Sequence, residues 1–180
     1  FPNPNAPTGI YESLDHVEEI IKNNPDVIVI VDEAYIDFGG ETALPLIDKY
    51  DNLVVVRTFS KSRSMAGLRI GYAISNPELI KALNDVKYSY NSYTMNRPSL
   101  VLGVESIHDD AYFREKVGQI IATRERVVKE IAELGFTCLP SSANFVFATH
   151  ESIPAKKIFA AAKENNIYVR YFDKPRIDNY

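Results

Sequence analysis

The stretch V-I-V-I-V-D-E-A-Y, at Val27–Tyr35, decides the fold class of this chain. It opens on a continuous run of β-branched residues, which is typical of a strand buried on both faces of a parallel sheet. The polar residue Asp32 follows that run directly. A second apolar strand, Leu53–Arg57, also leads into a polar segment, Thr58–Lys61. Because ligands of open α/β sheets bind beyond the carboxyl ends of the strands, both polar segments are candidates for a binding site.

The segments around these strands alternate between helical and extended patterns. Apolar residues at helical spacing follow Ser13 and Pro77, and a third strand is predicted over Leu68–Ile74. Strands alternating with helices predict an α/β fold with a mostly parallel sheet. We therefore assign residues 1–108 to the carboxyl-terminal part of a large sheet domain.

The second part of the chain has a different pattern. A long amphipathic helix is predicted from about Ala111 to Leu134, followed by a strand at Asn144–Ala148, a helix and a strand at Ile167–Tyr171. This order predicts a smaller α+β domain over residues 109–180. The chain opens on a Pro-rich turn and not on Met, so we expect it to be a piece of a longer protein.

Composition excludes several classes of function. The 180 residues carry a net charge of −4 without a basic cluster, so no nucleic acid or membrane partner is expected. No apolar run approaches the roughly 18 residues of a membrane helix. The single cysteine, Cys138, excludes a disulfide framework and predicts a reducing, cytoplasmic location. No histidine pair has the spacing of metal ligands, so no metal site is expected.

Lys61 is the residue that points most directly to chemistry. It lies just beyond the second strand, in a loop that also carries Arg57, Arg63 and Arg69. Nearby positive charge and partial burial both disfavour the charged form of an amine. An uncharged amine in such a loop can act as a nucleophile toward an aldehyde. The alternative for a lone lysine is a solvated surface side chain.

Other polar residues at the strand ends could serve the same ligand. Asp32 either caps the turn after the first strand or directs its charge at a ligand, and Tyr35 either reaches that ligand or simply packs. A fixed guanidinium at Arg69 could hold a phosphate bidentately, unless it forms a surface ion pair. The hydroxyl groups of Thr58 and Ser60 would add donors to such a phosphate site.

Three segments together resemble a known family in order and in spacing. They are N-P-N-A-P-T-G at Asn3–Gly9, V-D-E-A-Y-I-D-F at Val31–Phe38 and R-T-F-S-K-S-R-S-M-A-G-L-R-I-G-Y at Arg57–Tyr72. The chain resembles the fold-type I pyridoxal-phosphate aminotransferases, and within them it is most similar to the histidinol-phosphate aminotransferases. The resemblance continues through Ser141–Phe145 and Ile167–Arg170, so it covers essentially the whole chain.

The resemblance implies a role for each candidate residue. Lys61 would form an imine with pyridoxal 5'-phosphate and then move a proton between the substrate and the cofactor. Asp32 would pair with the pyridinium nitrogen and keep it protonated, and Tyr35 would form a hydrogen bond with the ring oxygen O3′. Arg170 matches a position that binds the anionic end of the substrate. Three further side chains would bind the cofactor phosphate: Thr58, Ser60 and Arg69.

The chain departs from the family pattern in two ways. The family usually has Asn directly before Pro-Thr-Gly, whereas this chain has Ala6 there and Asn5 one position earlier. We expect either that Asn5 serves in a shifted loop or that its contact with the cofactor is lost. The upstream phosphate-binding loop and a downstream arginine for the substrate carboxylate are also absent, so we expect this segment alone to be catalytically incomplete.

The predicted activity is transfer of an amino group between L-histidinol phosphate and 2-oxoglutarate in histidine biosynthesis. The partners would be a small-molecule amino donor, a 2-oxo acid and, by the resemblance, a second copy of the chain in a homodimer. Three alternatives stay open. They are a threonine-phosphate decarboxylase, an aromatic aminotransferase of the same fold, and a non-catalytic binding module that inherited the fold.

Overall fold

The first sheet brings the two predicted strand ends side by side. The computed structural model describes residues 1–180, and its first sheet has three strands in the order β1 (Val29–Asp32), β2 (Leu53–Thr58) and β3 (Gly71–Ile74). Asp32 is opposite Val56 in the parallel pairing of β1 with β2. The carboxyl ends of β1 and β2 therefore lie at the same edge of the sheet.

The third strand runs against the other two. β3 pairs antiparallel with β2, with Thr58 opposite Gly71, so the prediction of a mostly parallel sheet holds only for the pairing of β1 with β2. A parallel connection needs a crossover segment, usually a helix. The loop from β2 to β3 contains only a short 3-10 turn at Ala66–Leu68 and so reverses the chain direction.

The helices follow the predicted order. Each of the first three has a polar cap, and the side chains of Ser13, Asn76 and Asn96 accept hydrogen bonds from the first turn of the helix they precede. The long helix α4 confirms the predicted amphipathic segment. The helices are α1 (Leu14–Lys22), α2 (Pro77–Tyr90), α3 (Arg97–His108), α4 (Asp110–Ala132) and α5 (Ala155–Glu164). None of them is both long and apolar enough to cross a membrane.

The core lies between α1 and one face of the first sheet. Val31 of β1 and Val55 of β2 are fully buried there. The opposite face of β1 is exposed to solvent, as Ile30 on that face is 50% exposed. The prediction that this strand is buried on both faces is therefore wrong for this chain. The core residues are Val17, Ile21, Val29, Val31, Ala43, Leu46, Leu53 and Val55.

A second, two-stranded sheet follows α4. It pairs β4 (Phe136–Cys138) antiparallel with β5 (Ala148–His150). The strand predicted at Asn144–Ala148 is displaced toward the carboxyl end, because the hydroxyl of Ser141 donates to the carbonyl of Phe145 at 2.6 Å and closes a turn.

The strand predicted at Ile167–Tyr171 is absent. The amide of Ile167 instead donates to the carbonyl of Ala162 at 2.9 Å, which closes the end of α5. The preceding residue, Asn166, has a φ of 58° and turns the chain away from an extended path. The division into a large and a small domain stays a prediction.

Candidate active site

The candidate site starts where β1 ends. One carboxylate oxygen of Asp32, Oδ1, accepts a hydrogen bond from the amide of Ala34 at 3.0 Å. The amide of Glu33 donates to the carbonyl of Val56 at 2.9 Å, so the chain stays beside β2 for one more residue. Asp32 therefore caps the turn with one oxygen, and its side chain is half-buried.

Lys61 and Tyr35 meet at this edge of the sheet. The Nζ atom of Lys61 lies 5.2 Å from the centroid of the Tyr35 ring. Both side chains are half-buried, and Lys61 forms no ion pair. The edge of the Tyr35 ring also packs against Phe145, with 5.2 Å between the ring centroids. The structure thus brings together two of the predicted residues that lie far apart in the chain.

The arginines around Lys61 are directed elsewhere. The guanidinium of Arg57 binds Glu33, with Nη2 2.7 Å from Oε2. Arg63 donates to the backbone carbonyl of Ser106, and Arg69 is exposed and donates to the carbonyl of Ala66 at 2.9 Å. The expected cluster of positive charge around the lysine is therefore largely engaged in other contacts.

Glu33 is a buried acid that the sequence reasoning did not single out. Only 1% of its side chain is exposed. Its carboxylate accepts hydrogen bonds from Arg57 Nε at 2.9 Å, from the amide of Ala43 at 2.6 Å and from the hydroxyl of Thr42 at 2.8 Å. Burial alone would lower the pKa of Arg57, but the hydrogen bonds and charge of Glu33 outweigh burial and raise that pKa above its ordinary value.

A second, partly buried hydrogen bond involves the residue that follows Lys61. The hydroxyl of Ser62, which is 4% exposed, donates to Oδ2 of Asp37 at 2.5 Å. Asp37 belongs to the 3-10 turn Ile36–Phe38, which follows Tyr35 directly. The loop after β1 is therefore tied to the end of β2 through Arg57 and to the loop after β2 through Ser62, with the contact between Lys61 and Tyr35 between these two ties in the sequence.

The three residues predicted to bind a phosphate lie at the end of β2 and in the loop between β2 and β3. The hydroxyl of Thr58 donates to the carbonyl of Ile70 at 3.2 Å and accepts from the amide of Ser60 at 3.0 Å. Arg69 has a left-handed backbone with a φ of 57°. A guanidinium carries five N–H donors. In Arg69 only Nη1 donates a hydrogen bond, to the carbonyl of Ala66. The loop therefore retains donors for an anion at Ser60 and Arg69.

The amino-terminal segment carries the departure from the family pattern. Oδ1 of Asn5 accepts from the hydroxyl of Thr8 at 2.7 Å, and its backbone carbonyl accepts from the amide of Gly9 at 2.8 Å. The Asn5 side chain therefore stabilises its own turn. Ala6, which stands at the position usually held by Asn, lines the same cavity as Tyr35.

That cavity has a volume of about 730 Å³ and a mostly apolar lining. Arg170 contributes its one charged side chain. The guanidinium of Arg170 lies 5.7 Å from the centroid of the Phe172 ring, and the side chain is exposed. The structure thus brings Arg170 and Tyr35 to one cavity, while Thr58 ends β2 and Ser60 and Arg69 lie on the loop beyond it.

Contacts between the amino-terminal segment and the chain after α4 close the site from one side. The amide of Ser142 donates to the carbonyl of Gly9 at 2.8 Å. Arg124 on α4 donates to two backbone carbonyls, those of Phe38 at 3.0 Å and Ala143 at 2.7 Å. These bonds hold the segment between β4 and β5 against the loop that carries Tyr35.

Comparison with known proteins adds an independent line of evidence. The family model described as aminotransferase class I and II matches residues 1–180. A histidinol-phosphate aminotransferase of Clostridium botulinum is 53% identical over 178 residues, covering 99% of this chain and 50% of that protein. Histidinol-phosphate aminotransferase 2 of Dechloromonas aromatica is 52% identical over 180 residues, with 100% of this chain and 51% of that protein covered.

A solved structure has the same fold. The histidinol-phosphate aminotransferase of Sinorhizobium meliloti in complex with pyridoxal-5'-phosphate superimposes with a TM-score of 0.88 at 27% identity. The match covers 99% of this chain and 50% of that one. The chain thus spans about half the length of the curated relatives it matches.

Proposed function

The chain belongs to the class I and II aminotransferase family, and from that membership we propose that it carries the lysine-bearing part of a pyridoxal-phosphate-dependent transaminase. The observation that supports this most is the position of Lys61, whose Nζ lies over the Tyr35 ring at the edge where β1 and β2 end together. The relatives named histidinol-phosphate aminotransferase support L-histidinol phosphate as the amino-group substrate, and we propose 2-oxoglutarate as its partner in the exchange.

Bound pyridoxal phosphate supplies an aldehyde to which amines add and a ring that accepts electrons from a bond broken beside the nitrogen. The chain offers groups that fit the parts of this cofactor. The Lys61 amine is free of carboxylate partners. Asp32 uses Oδ1 on the turn, so its second carboxylate oxygen would hold a proton on the ring nitrogen. The Tyr35 hydroxyl would donate a hydrogen bond to the ring oxygen.

The remaining candidates would bind the charged ends of cofactor and substrate. Ser60 and Arg69 would donate to the phosphate, and Thr58 would hold the loop in place through its bonds to Ile70 and Ser60. The Arg170 guanidinium, at the apolar cavity that Tyr35 also lines, would bind an anionic group of the substrate. Nζ of Lys61 would accept a proton from the substrate and then donate it to the cofactor.

Two further parts of the proposal concern the whole protein. We propose that residues 1–108 belong to a large cofactor-binding domain and residues 109–180 to a smaller one. We also propose a homodimer, as the family resemblance implies. Asn5 uses Oδ1 on the Thr8 hydroxyl, so in this proposal its Nδ2 group would be the part that donates to the cofactor.

The experiment uses the intact protein and the variant Lys61→Ala. Wild type is incubated with pyridoxal phosphate, reduced with borohydride and digested, and we expect a pyridoxyl group on Lys61 by mass spectrometry. Lys61→Ala should lose this label and its turnover of L-histidinol phosphate. Lys81→Ala is the matched control, because Lys81 is exposed and pairs only with Asp85. An undiminished transamination rate in Lys61→Ala would end the proposal.

The same assay separates an enzyme from a binding module. A binding module that inherited the fold would be labelled at Lys61 but would not convert amino donors. Release of CO₂ without formation of the keto product would instead identify a decarboxylase. Turnover of phosphate-free aromatic amino acids, faster than that of L-histidinol phosphate, would identify an aromatic aminotransferase.

A further inference from the structure

Two side-chain bridges join the loop after β1 to the end of β2 and to the loop that follows β2. The first is the buried pair of Glu33 with Arg57, at 2.7 Å. The second is the hydrogen bond from Ser62 to Asp37, at 2.5 Å. The two bridges are attached at different residues, Glu33 and Asp37. Together they therefore restrict both the distance and the relative rotation of the two segments that carry Tyr35 and Lys61.

The bridges enclose the contact between Lys61 and Tyr35. Along the first loop Tyr35 lies between Glu33 and Asp37. Lys61 lies between Arg57, which is in β2, and Ser62, which follows Lys61 in the loop. Ser62 is the direct neighbour of Lys61. A constraint on its side chain therefore acts on the backbone from which the Lys61 side chain extends.

A lysine needs such a constraint because its side chain is long and has many rotamers. Ordering a lysine side chain loses more rotamer freedom than ordering most other side chains. Lys61 has no carboxylate partner to hold its amine, so its direction depends on the backbone and on the Tyr35 ring. A small displacement of either loop would move Nζ away from that ring.

We propose that Asp37 and Ser62 are positioning residues for the Lys61 amine. Asp37 accepts the Ser62 hydroxyl hydrogen and thereby holds the loop of Lys61 at a fixed distance from the loop of Tyr35. Neither residue needs to touch the cofactor or the substrate. The inference rests on the proposed function, since it gives the bond a role in the reactivity of Lys61.

The test measures how fast Lys61 reacts with pyridoxal phosphate in the intact apo protein. Labelling is stopped with borohydride at timed intervals and quantified by mass spectrometry of the Lys61 peptide, without any substrate turnover. The variants are Asp37→Ala, Ser62→Ala, the double variant and Asp37→Asn. Asp37→Asn keeps an oxygen that can accept the Ser62 hydrogen. Asp85→Ala is the matched control, because Asp85 forms an exposed pair with Lys81.

We expect Asp37→Ala and Ser62→Ala each to slow labelling by on the order of tenfold, since misplacing a reacting group costs this much or more. The double variant should be no slower than either single variant, because all three lack the same bond. Asp37→Asn should recover most of the rate, and Asp85→Ala should match wild type. Far-UV circular dichroism is recorded on each variant, and the rates are compared at a temperature where all are folded.

Several results would overturn the inference. These are unchanged labelling in both alanine variants, additive losses in the double variant, or a rate for Asp37→Asn as low as that for Asp37→Ala. Wild type that is not labelled at Lys61 would overturn the proposed function together with this inference. Wild type that is labelled at Lys61, with variants that react equally fast, would overturn the positioning role alone.

Discussion

Replacing Arg57 by methionine removes the partner of Glu33, which carries the most deeply buried charge at the strand ends. Arg57→Met removes two hydrogen bonds to Glu33 and one to Thr42. It leaves a carboxylate whose side chain is 1% exposed with only the amide of Ala43 and the Thr42 hydroxyl as partners. The substitution keeps much of the volume of the arginine stem, so the lost polar contacts dominate its effect.

The magnitude follows from those contacts. A hydrogen bond to a charged group contributes about 1.5–3 kcal/mol, and we use the lower end because 19% of the Arg57 side chain is exposed. Two such bonds to Glu33 then correspond to about 3 kcal/mol. This agrees with the roughly 3–5 kcal/mol lost when one partner of a buried pair is removed. We therefore expect the free energy of unfolding to fall by about 3 kcal/mol at neutral pH.

The assay is urea unfolding of the intact protein followed by far-UV circular dichroism, which reports the loss of helices and strands. A matched control is Arg126→Met, which breaks the exposed pair with Glu130 at the same 2.7 Å distance. That control should cost below about 1 kcal/mol. Adding Glu33→Gln to Arg57→Met should restore at least about 1 kcal/mol, since it removes the unpaired charge and keeps an acceptor for Ala43.

Two results would refute this reasoning. One is a loss in Arg57→Met no larger than that in Arg126→Met, which would mean that Glu33 is well solvated without its partner. The other is a double variant less stable than Arg57→Met alone, which would mean that the charge of Glu33 stabilises the fold by itself.

Three other substitutions or measurements test the packing around the site. Phe38→Ala should reduce the free energy of unfolding by about 3–5 kcal/mol in the same urea assay, because Phe38 is fully buried. Gly9→Ala should lower the thermal midpoint and cost on the order of 2 kcal/mol, because Gly9 has a φ of 79° and an added Cβ would lie 2.6 Å from the Ser141 hydroxyl oxygen. A Gly67→Ala control, with open space around its Cβ, should not show this loss. Burial raises the pKa of the Cys138 thiol. Near pH 8 Cys138 should therefore react with iodoacetamide more slowly in the folded protein than in the urea-unfolded chain, because less of it is thiolate. The difference between the two rates should narrow as the pH rises through the raised pKa. Equal rates in the folded and unfolded states would contradict that prediction.

The parts of the fold that could be predicted have local causes. The β-branched run at Val27–Val31 specifies a strand by itself, and α1 begins at a serine whose side chain caps it. The meeting of the two polar strand ends also followed from the sequence, because parallel neighbours end at the same edge. Lys61 and Tyr35 could therefore be assigned to one region before any contact between them was known.

The parts that could not be predicted depend on which segments meet. The direction of β3 is set by a loop without a crossover helix, and Leu68–Ile74 reads as a strand in either direction. Ile167–Tyr171 is rich in apolar and aromatic residues, but no strand pairs with it. The bond from Ser62 to Asp37 joins two loops, and neither residue has a pattern that identifies the other.

The pairing of Glu33 with Arg57 was not predicted, but the alternation of side chains along the two strands could have revealed it. Successive side chains of a strand point to opposite faces. Val31 is buried in the core, and the same face continues to Glu33; Val55 is buried likewise, and its face continues to Arg57. Each charge thus extends a buried apolar row, and a buried charge requires a partner. The same alternation directs Asp32 to the other face, so of two adjacent acids one is paired inside the protein and the other is the one that we propose binds the cofactor.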